Sequence, residues 1–134
     1  MRYMLLIYKD ETLWDEMSVA EKGAIFQRAV EFSDALRPSG VYQGGEPLEP
    51  TSTATTVRLK DGKAVMTDGP FAETKEQLAG YSIVEAKDLD EVLAIATRHP
   101  LVRAGLSIEV RPIRVGPRSN SISPTGPWTR SVSE

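Results

Sequence analysis

Two stretches of this chain are apolar at nearly every position, and most of the rest repeats at helical spacing or alternates. Residues 3–8 read Tyr-Met-Leu-Leu-Ile-Tyr. A strand with one wet face alternates, whereas a continuous apolar run predicts a strand covered on both faces. Residues 79–86, Ala-Gly-Tyr-Ser-Ile-Val-Glu-Ala, form a second, largely apolar strand. Ser107-Ile-Glu-Val-Arg-Pro-Ile113 alternates, with Glu109 and Arg111 on one face and Ile108 and Val110 on the other.

Helical spacing appears twice. Ser18 and Glu21 have the spacing of a capping box, which predicts a helix over 18–36. Its stripe is Phe26, Ala29, Val30, Ser33 and Leu36, broadened by Ile25 and Phe32, and Pro38 and Gly40 stop it. Trp14 is expected to pack beneath the start of this helix or on its partner. Asp88 is the N-cap of a second helix whose face is Leu89, Val92, Leu93 and Ala96, ended by His99-Pro100.

Between these elements lies shorter β material. Val41–Gly45 is a short strand, and Glu46–Pro50 a proline-bounded loop. Thr53–Leu59 is β-branched, and Ala64–Thr67 returns after Asp61-Gly62, a strong hairpin signal. The order is strand–helix–strand, an inserted hairpin, then strand–helix–strand. That order predicts a ferredoxin-like α+β fold, an antiparallel sheet with two helices on one face. The two continuously apolar segments are its central strands. Helices cover only one face, so a second copy is expected to cover the other, giving a homodimer with a cavity between sheets.

Composition narrows the function classes. The 134 residues suit one domain, with 1–114 folded and 115–134, rich in Gly, Pro, Ser and Thr, a flexible tail carrying Trp128 and Ile122. A net charge of −3 argues against a nucleic-acid binder. With no cysteine, disulfides, thiolate zinc sites and a cysteine nucleophile are excluded. One histidine and no cysteine leave only carboxylates as further metal ligands, without ligand spacing, so no metal or cofactor is expected. No signal peptide or membrane span is legible, and a cytoplasmic location is expected.

The segment 67–76, Thr-Asp-Gly-Pro-Phe-Ala-Glu-Thr-Lys-Glu, draws attention as a binding rim between two β segments. Asp68 has two readings, a general base at a cavity mouth or the start of an Asp-Gly-Pro turn. Phe71 is expected to be a packing anchor. Lys75 and Glu76 are candidates to hold a charged substrate, while Glu73 is read as solvated rim. His99 is either an acid–base group or a cation on a helix C-terminus. Arg111 is an anion clamp if its face looks into the cavity, and Tyr81 and Arg58 are further lining candidates.

The chain resembles the YCII-related proteins of the DGPF-domain type. The resemblance rests on Asp68-Gly69-Pro70-Phe71, Glu73, Lys75-Glu76 and Gly80-Tyr81. It is supported by Gly44-Gly45-Glu46 with Leu48, Thr56-Val57-Arg58 and Glu109-Val110-Arg111-Pro112, and it covers residues 1–113. It implies a ferredoxin-like fold assembled as a dimeric α/β barrel. It also implies a histidine–aspartate pair in members with activity, and for some members association with a sigma factor. The histidine of that pair belongs in the first helix, where this sequence has none. Two functions follow as expectations. One is an enzyme on a small anionic metabolite, with Asp68 and His99 moving protons and Arg111, Lys75, Glu76 or Tyr81 holding substrate. The other is a non-catalytic ligand-binding or regulatory protein, in the second case a sigma-factor partner.

Overall fold

The computed structural model describes residues 1–115; beyond Val115 the expected tail, with Ile122 and Trp128, lies outside the described residues. Strands β1 (Arg2–Lys9), β2 (Tyr42–Pro47), β5 (Gln77–Glu85) and β6 (Ser107–Pro112) form one sheet in the order β2-β5-β1-β6. All its pairings are antiparallel. This is the ferredoxin-like α+β arrangement, and the two continuously apolar segments are its inner strands. Strands β3 (Thr55–Lys60) and β4 (Lys63–Asp68) form the separate inserted hairpin. Its turn is the expected one, with Asp61 at φ 53 and Gly62 at φ 78, values a two-residue hairpin turn requires.

The long helices are α2 (Val19–Leu36) and α3 (Leu89–Arg98). Ser18 accepts the Glu21 N–H at 3.1 Å, and its own hydroxyl donates to the Glu21 carboxylate at 3.1 Å. Asp88 likewise caps α3 by accepting the Glu91 N–H at 2.9 Å. Two short helices were not legible. Asp10 caps α1 (Glu11–Glu16), accepting the N–H groups of Thr12 and Leu13. Immediately after α3, His99-Pro100 starts α4 (Pro100–Arg103), where proline occupies the first-turn position that tolerates its missing N–H. Residues 51–53 add a single 3-10 turn.

The core lies between the sheet and α3. Tyr3, Leu5, Val84, Ala86 and Val92 form one buried cluster, with Ile108 and Val110 packed on it. On α3 the buried positions are Val92, Ile95 and Ala96; Leu89 and Leu93, expected on that face, are exposed. The buried edge of α2 is also rotated from the expected stripe. Ile25 is its single buried residue, Ala29, Phe32, Ser33 and Leu36 are half-buried, and Phe26 and Val30 are exposed. Thus α3 seals its half of the sheet, while α2 stands over the other half without closing on it. Among the described residues no helix is long and apolar enough to cross a membrane.

Candidate functional site

The gap beneath α2 is a cavity of about 360 Å³. That volume lies within the usual range for small-molecule sites, about 300–1,000 Å³. Its roof is Phe26, Ala29, Val30 and Ser33 of α2; its floor is Ile7, Gly80, Ser82 and Gly45 of the sheet. The floor is low because small residues occupy the helix-facing positions of β5 and β2. Gly80 and Ser82 alternate with larger residues aimed at the opposite sheet face, and Gly45 pairs with Ser82. Glycine at 45 is dictated by close approach of the two strands. A Cβ there would overlap the Tyr81 carbonyl oxygen and lie 2.8 Å from both the Ser82 Cα and the Tyr42 hydroxyl.

Two of the polar side chains that line this space are buried. His99 is 4% exposed and Ser82 7% exposed, and both line the cavity. The His99 ring is held from two sides. Its Nδ1 accepts the Leu101 N–H at 3.1 Å, capping α4, and Phe32 of α2 lies against it with ring centroids 4.9 Å apart. Because Nδ1 accepts, Nε2 carries the proton. Burial lowers the His99 pKa to about 4, so the ring is neutral near pH 7 and presents Nε2–H as a donor. The expectation of a cationic His99 at a helix end is therefore replaced by a neutral capping histidine. Neither Nε2 nor the Ser82 hydroxyl has a hydrogen-bond partner among the described residues. No side-chain nitrogen or oxygen there is both sealed and unpartnered, so both atoms are reachable from the cavity.

The charged rim differs from the expected one. Lys9 and Trp14 line the cavity, with the Lys9 Nζ 4.5 Å from the Trp14 ring centroid. Burial lowers the Lys9 pKa, against the opposing pull of Glu11 and Asp15. Arg37 stacks on Tyr42 at 4.6 Å and pairs with Asp34 at 3.2 Å. None of these residues stood out in the sequence as site material. Lys9 reads there as the wet end of a strand, and only the burial it shares with Trp14 marks it.

The structure separates the residues proposed from the sequence. His99 and Tyr81 both border the cavity, but strand alternation turns the Tyr81 ring to the opposite sheet face. Asp68 ends β4 opposite Thr55, exposed, and does not line the cavity with His99. Its carboxylate makes no hydrogen bond among the described residues. The following loop is held instead by the hairpin. The Gly69 N–H donates to the Ala54 carbonyl, Thr56 Oγ1 donates to the Gly69 carbonyl, and Arg58 donates to the Phe71 carbonyl at 3.1 Å. Phe71 is 76% exposed and anchors nothing within the described subunit.

Lys75 and Glu76 border a second cavity, of about 330 Å³, on the other side of Lys9 and Trp14. There Glu76 accepts the Ser107 hydroxyl at 2.9 Å. Arg111 lies opposite Met4, and Glu109 opposite Leu6, on the sheet face away from the helices. Tyr8 donates to Glu109 at 3.1 Å, and burial, then this contact, raises the Tyr8 pKa. Among the described residues no three His, Asp or Glu side chains gather as a metal site.

The chain belongs to the YCII-related domain family, whose profile matches residues 1–115. An uncharacterized protein of Rhizobium meliloti is 33% identical over 114 residues, covering 84% of this chain and 92% of that protein. Among solved structures, the chain is similar to 5-chloro-2-hydroxyhydroquinone dehydrochlorinase from Burkholderia phenoliruptrix, in complex with 2,5-dihydroxybenzoquinone. That similarity has 19% identity and a TM-score of 0.49, and covers 87% of this chain and 96% of the other.

Proposed function

We propose that this protein binds a small molecule with an apolar body and a hydrogen-bond acceptor, in the cavity between α2 and the sheet. One observation carries this reading. His99 and Ser82 are almost wholly buried and line the same space, yet His99 Nε2–H and the Ser82 hydroxyl have no partner among the described residues and are not sealed from solvent. A ligand that accepts from them therefore makes hydrogen bonds that the protein itself does not supply. The geometry favours binding over proton transfer by Asp68 and His99. His99 keeps its proton on Nε2 and its Nδ1 engaged, and Asp68 is on the hairpin outside the cavity.

A thermal-shift screen of metabolites tests this reading. A ligand at a hundred times its Kd adds about 2.7 kcal/mol of stability. The expected result is that a stabilising compound works on the wild type and on Asp68→Ala, and fails on Ser82→Leu, which fills the floor. A compound that needs Asp68 and ignores Ser82→Leu would place the site on the hairpin instead.

The same reading extends to assembly as a homodimer. On the sheet face without helices, Met4, Leu6, Tyr81 and Ile83 are only half-buried. On the hairpin, Val57 pairs with Met66 and Leu59 with Ala64, which puts an apolar set on one side. Val57, Leu59 and Met66 are 60%, 77% and 71% exposed. A second copy covering both surfaces would take these apolar side chains out of water.

A further inference from the structure

We infer that the ligand of this cavity is a small organic anion, and that Lys9 selects it by pairing with its charge while Ser82 and His99 hold the other end. The inference rests on the cavity being the binding site and adds the ligand's charge. Four charged residues border that space: Lys9, Asp34, Arg37 and Glu46. Asp34 and Arg37 are committed to each other at 3.2 Å, and the guanidinium also stacks on Tyr42. Glu46 is exposed, and strand alternation turns it from α2, because its neighbours Gly45 and Pro47 pair with the helix-facing Ser82 and Gly80. Lys9 is the remaining one.

Three features make Lys9 a built anchor rather than a loose surface lysine. It continues the inward-facing series Tyr3, Leu5 and Ile7 of β1, so its stem runs towards the helix side. Its Nζ lies over the ring of Trp14, which lines this cavity as well as the second one. It has no ion pair within 4.0 Å among the described residues. Of the nearby carboxylates, neither Glu11 nor Asp15 comes within 4.0 Å of it, and Glu11 instead accepts both the N–H and the hydroxyl of Thr51. An incompletely solvated ammonium without a partner favours a ligand that brings the counter-charge. The other end, four residues back along β1 where Leu5 pairs with Ser82, offers the Nε2–H donor and the Ser82 hydroxyl, which can donate as well. The complement is an anionic group at one end, an apolar middle against Phe26 and Ile7, and a neutral oxygen at the other end.

The test uses the full chain with Trp128→Phe, so that Trp14 is the single tryptophan and reports the cavity by its emission. The probes are 4-hydroxybenzoate and its neutral counterpart 4-hydroxybenzamide, titrated by fluorescence and repeated by calorimetry. The expected result is that the benzoate binds about tenfold or more tightly than the amide, the worth of one charge-assisted contact. In Lys9→Met, and again in Lys9→Gln should the first fold poorly, the preference for the benzoate over the amide disappears. Equal binding of both probes by the wild type overturns the anion inference and leaves the cavity reading standing. A preference that survives both Lys9 substitutions overturns the role of Lys9. Failure of both probes to bind at about 10 mM, where even a weak fit registers, overturns the inference together with the cavity reading.

Discussion

Lowering the pH should destabilise this protein through His99 in a way that a single substitution removes. The unfolded ring takes a proton below its ordinary pKa of 6.5, whereas the folded ring, desolvated under Phe32, stays neutral down to about 4. Between those values protons bind the unfolded chain and not the folded one, so they favour unfolding. The His99 contribution is therefore complete above pH 6.5 and is lost as the pH falls towards 4. The shift is worth roughly 3–4 kcal/mol at most, and most of that is gone by pH 4.5. Carboxylates titrate in the same region, so the measurement is a comparison. In His99→Asn the side-chain oxygen can accept the Leu101 N–H in place of Nδ1, since asparagine is a good cap, but nothing there titrates. Urea unfolding at fixed protein concentration, followed by far-UV circular dichroism at pH 7.5 and 4.5, gives the two losses. The wild type should lose roughly 2–3 kcal/mol more than the variant across that range. Equal losses would mean that His99 is solvated or already charged. The neutral donor at the base of the cavity would then be wrong as well.

Other expectations follow from single positions. Gly45→Ala drives a methyl into the β5 backbone and should cost about 1–3 kcal/mol in the same unfolding assay. Gly23→Ala, in the middle of α2 with nothing near its added methyl, should instead stabilise by about 0.5–1 kcal/mol. Leu5→Ala, at 1% exposure in the core cluster, should cost about 3–4 kcal/mol, and a cost below about 1 kcal/mol would contradict the packing described. Replacing Val57 and Met66 together by lysine should shift sedimentation from dimer to monomer while leaving the circular dichroism spectrum intact, because both side chains are exposed in the subunit. A dimer unaffected by that change would have to be formed elsewhere.

The fold was readable from local pattern because each signal reports a local cause. Continuous apolar runs marked the two inner strands, Ser18 and Asp88 marked the two long helices, and Asp61-Gly62 marked the hairpin. Pattern ran out where a short element depends on what surrounds it. The single turns at α1 and α4 have caps in the sequence, Asp10 and His99, but too few residues to show a period. The helix faces were misplaced by about one position for a related reason. Apolar spacing says that a stripe exists, and the sheet beneath decides which edge of it is buried, so Ile25 is covered and Phe26 is not.

The site was the least legible part. The Asp68–Phe71 segment stands out in composition, yet most of what distinguishes it goes into a loop pinned by Ala54, Thr56 and Arg58. The cavity is made by residues that attract no notice singly: Gly45, Gly80 and Ser82 on the floor, Lys9 at a strand end, and Trp14 on a one-turn helix. By itself the sequence determined the six strands, the two long helices and their order, and hence the sheet topology, since these follow from side-chain period and caps along the chain. Only the tertiary structure decided that α2 stands clear of small residues on two adjacent strands, and that a histidine from the far end of α3 turns its free donor into the gap. Both depend on groups distant in sequence meeting in space, and no local pattern encodes that meeting.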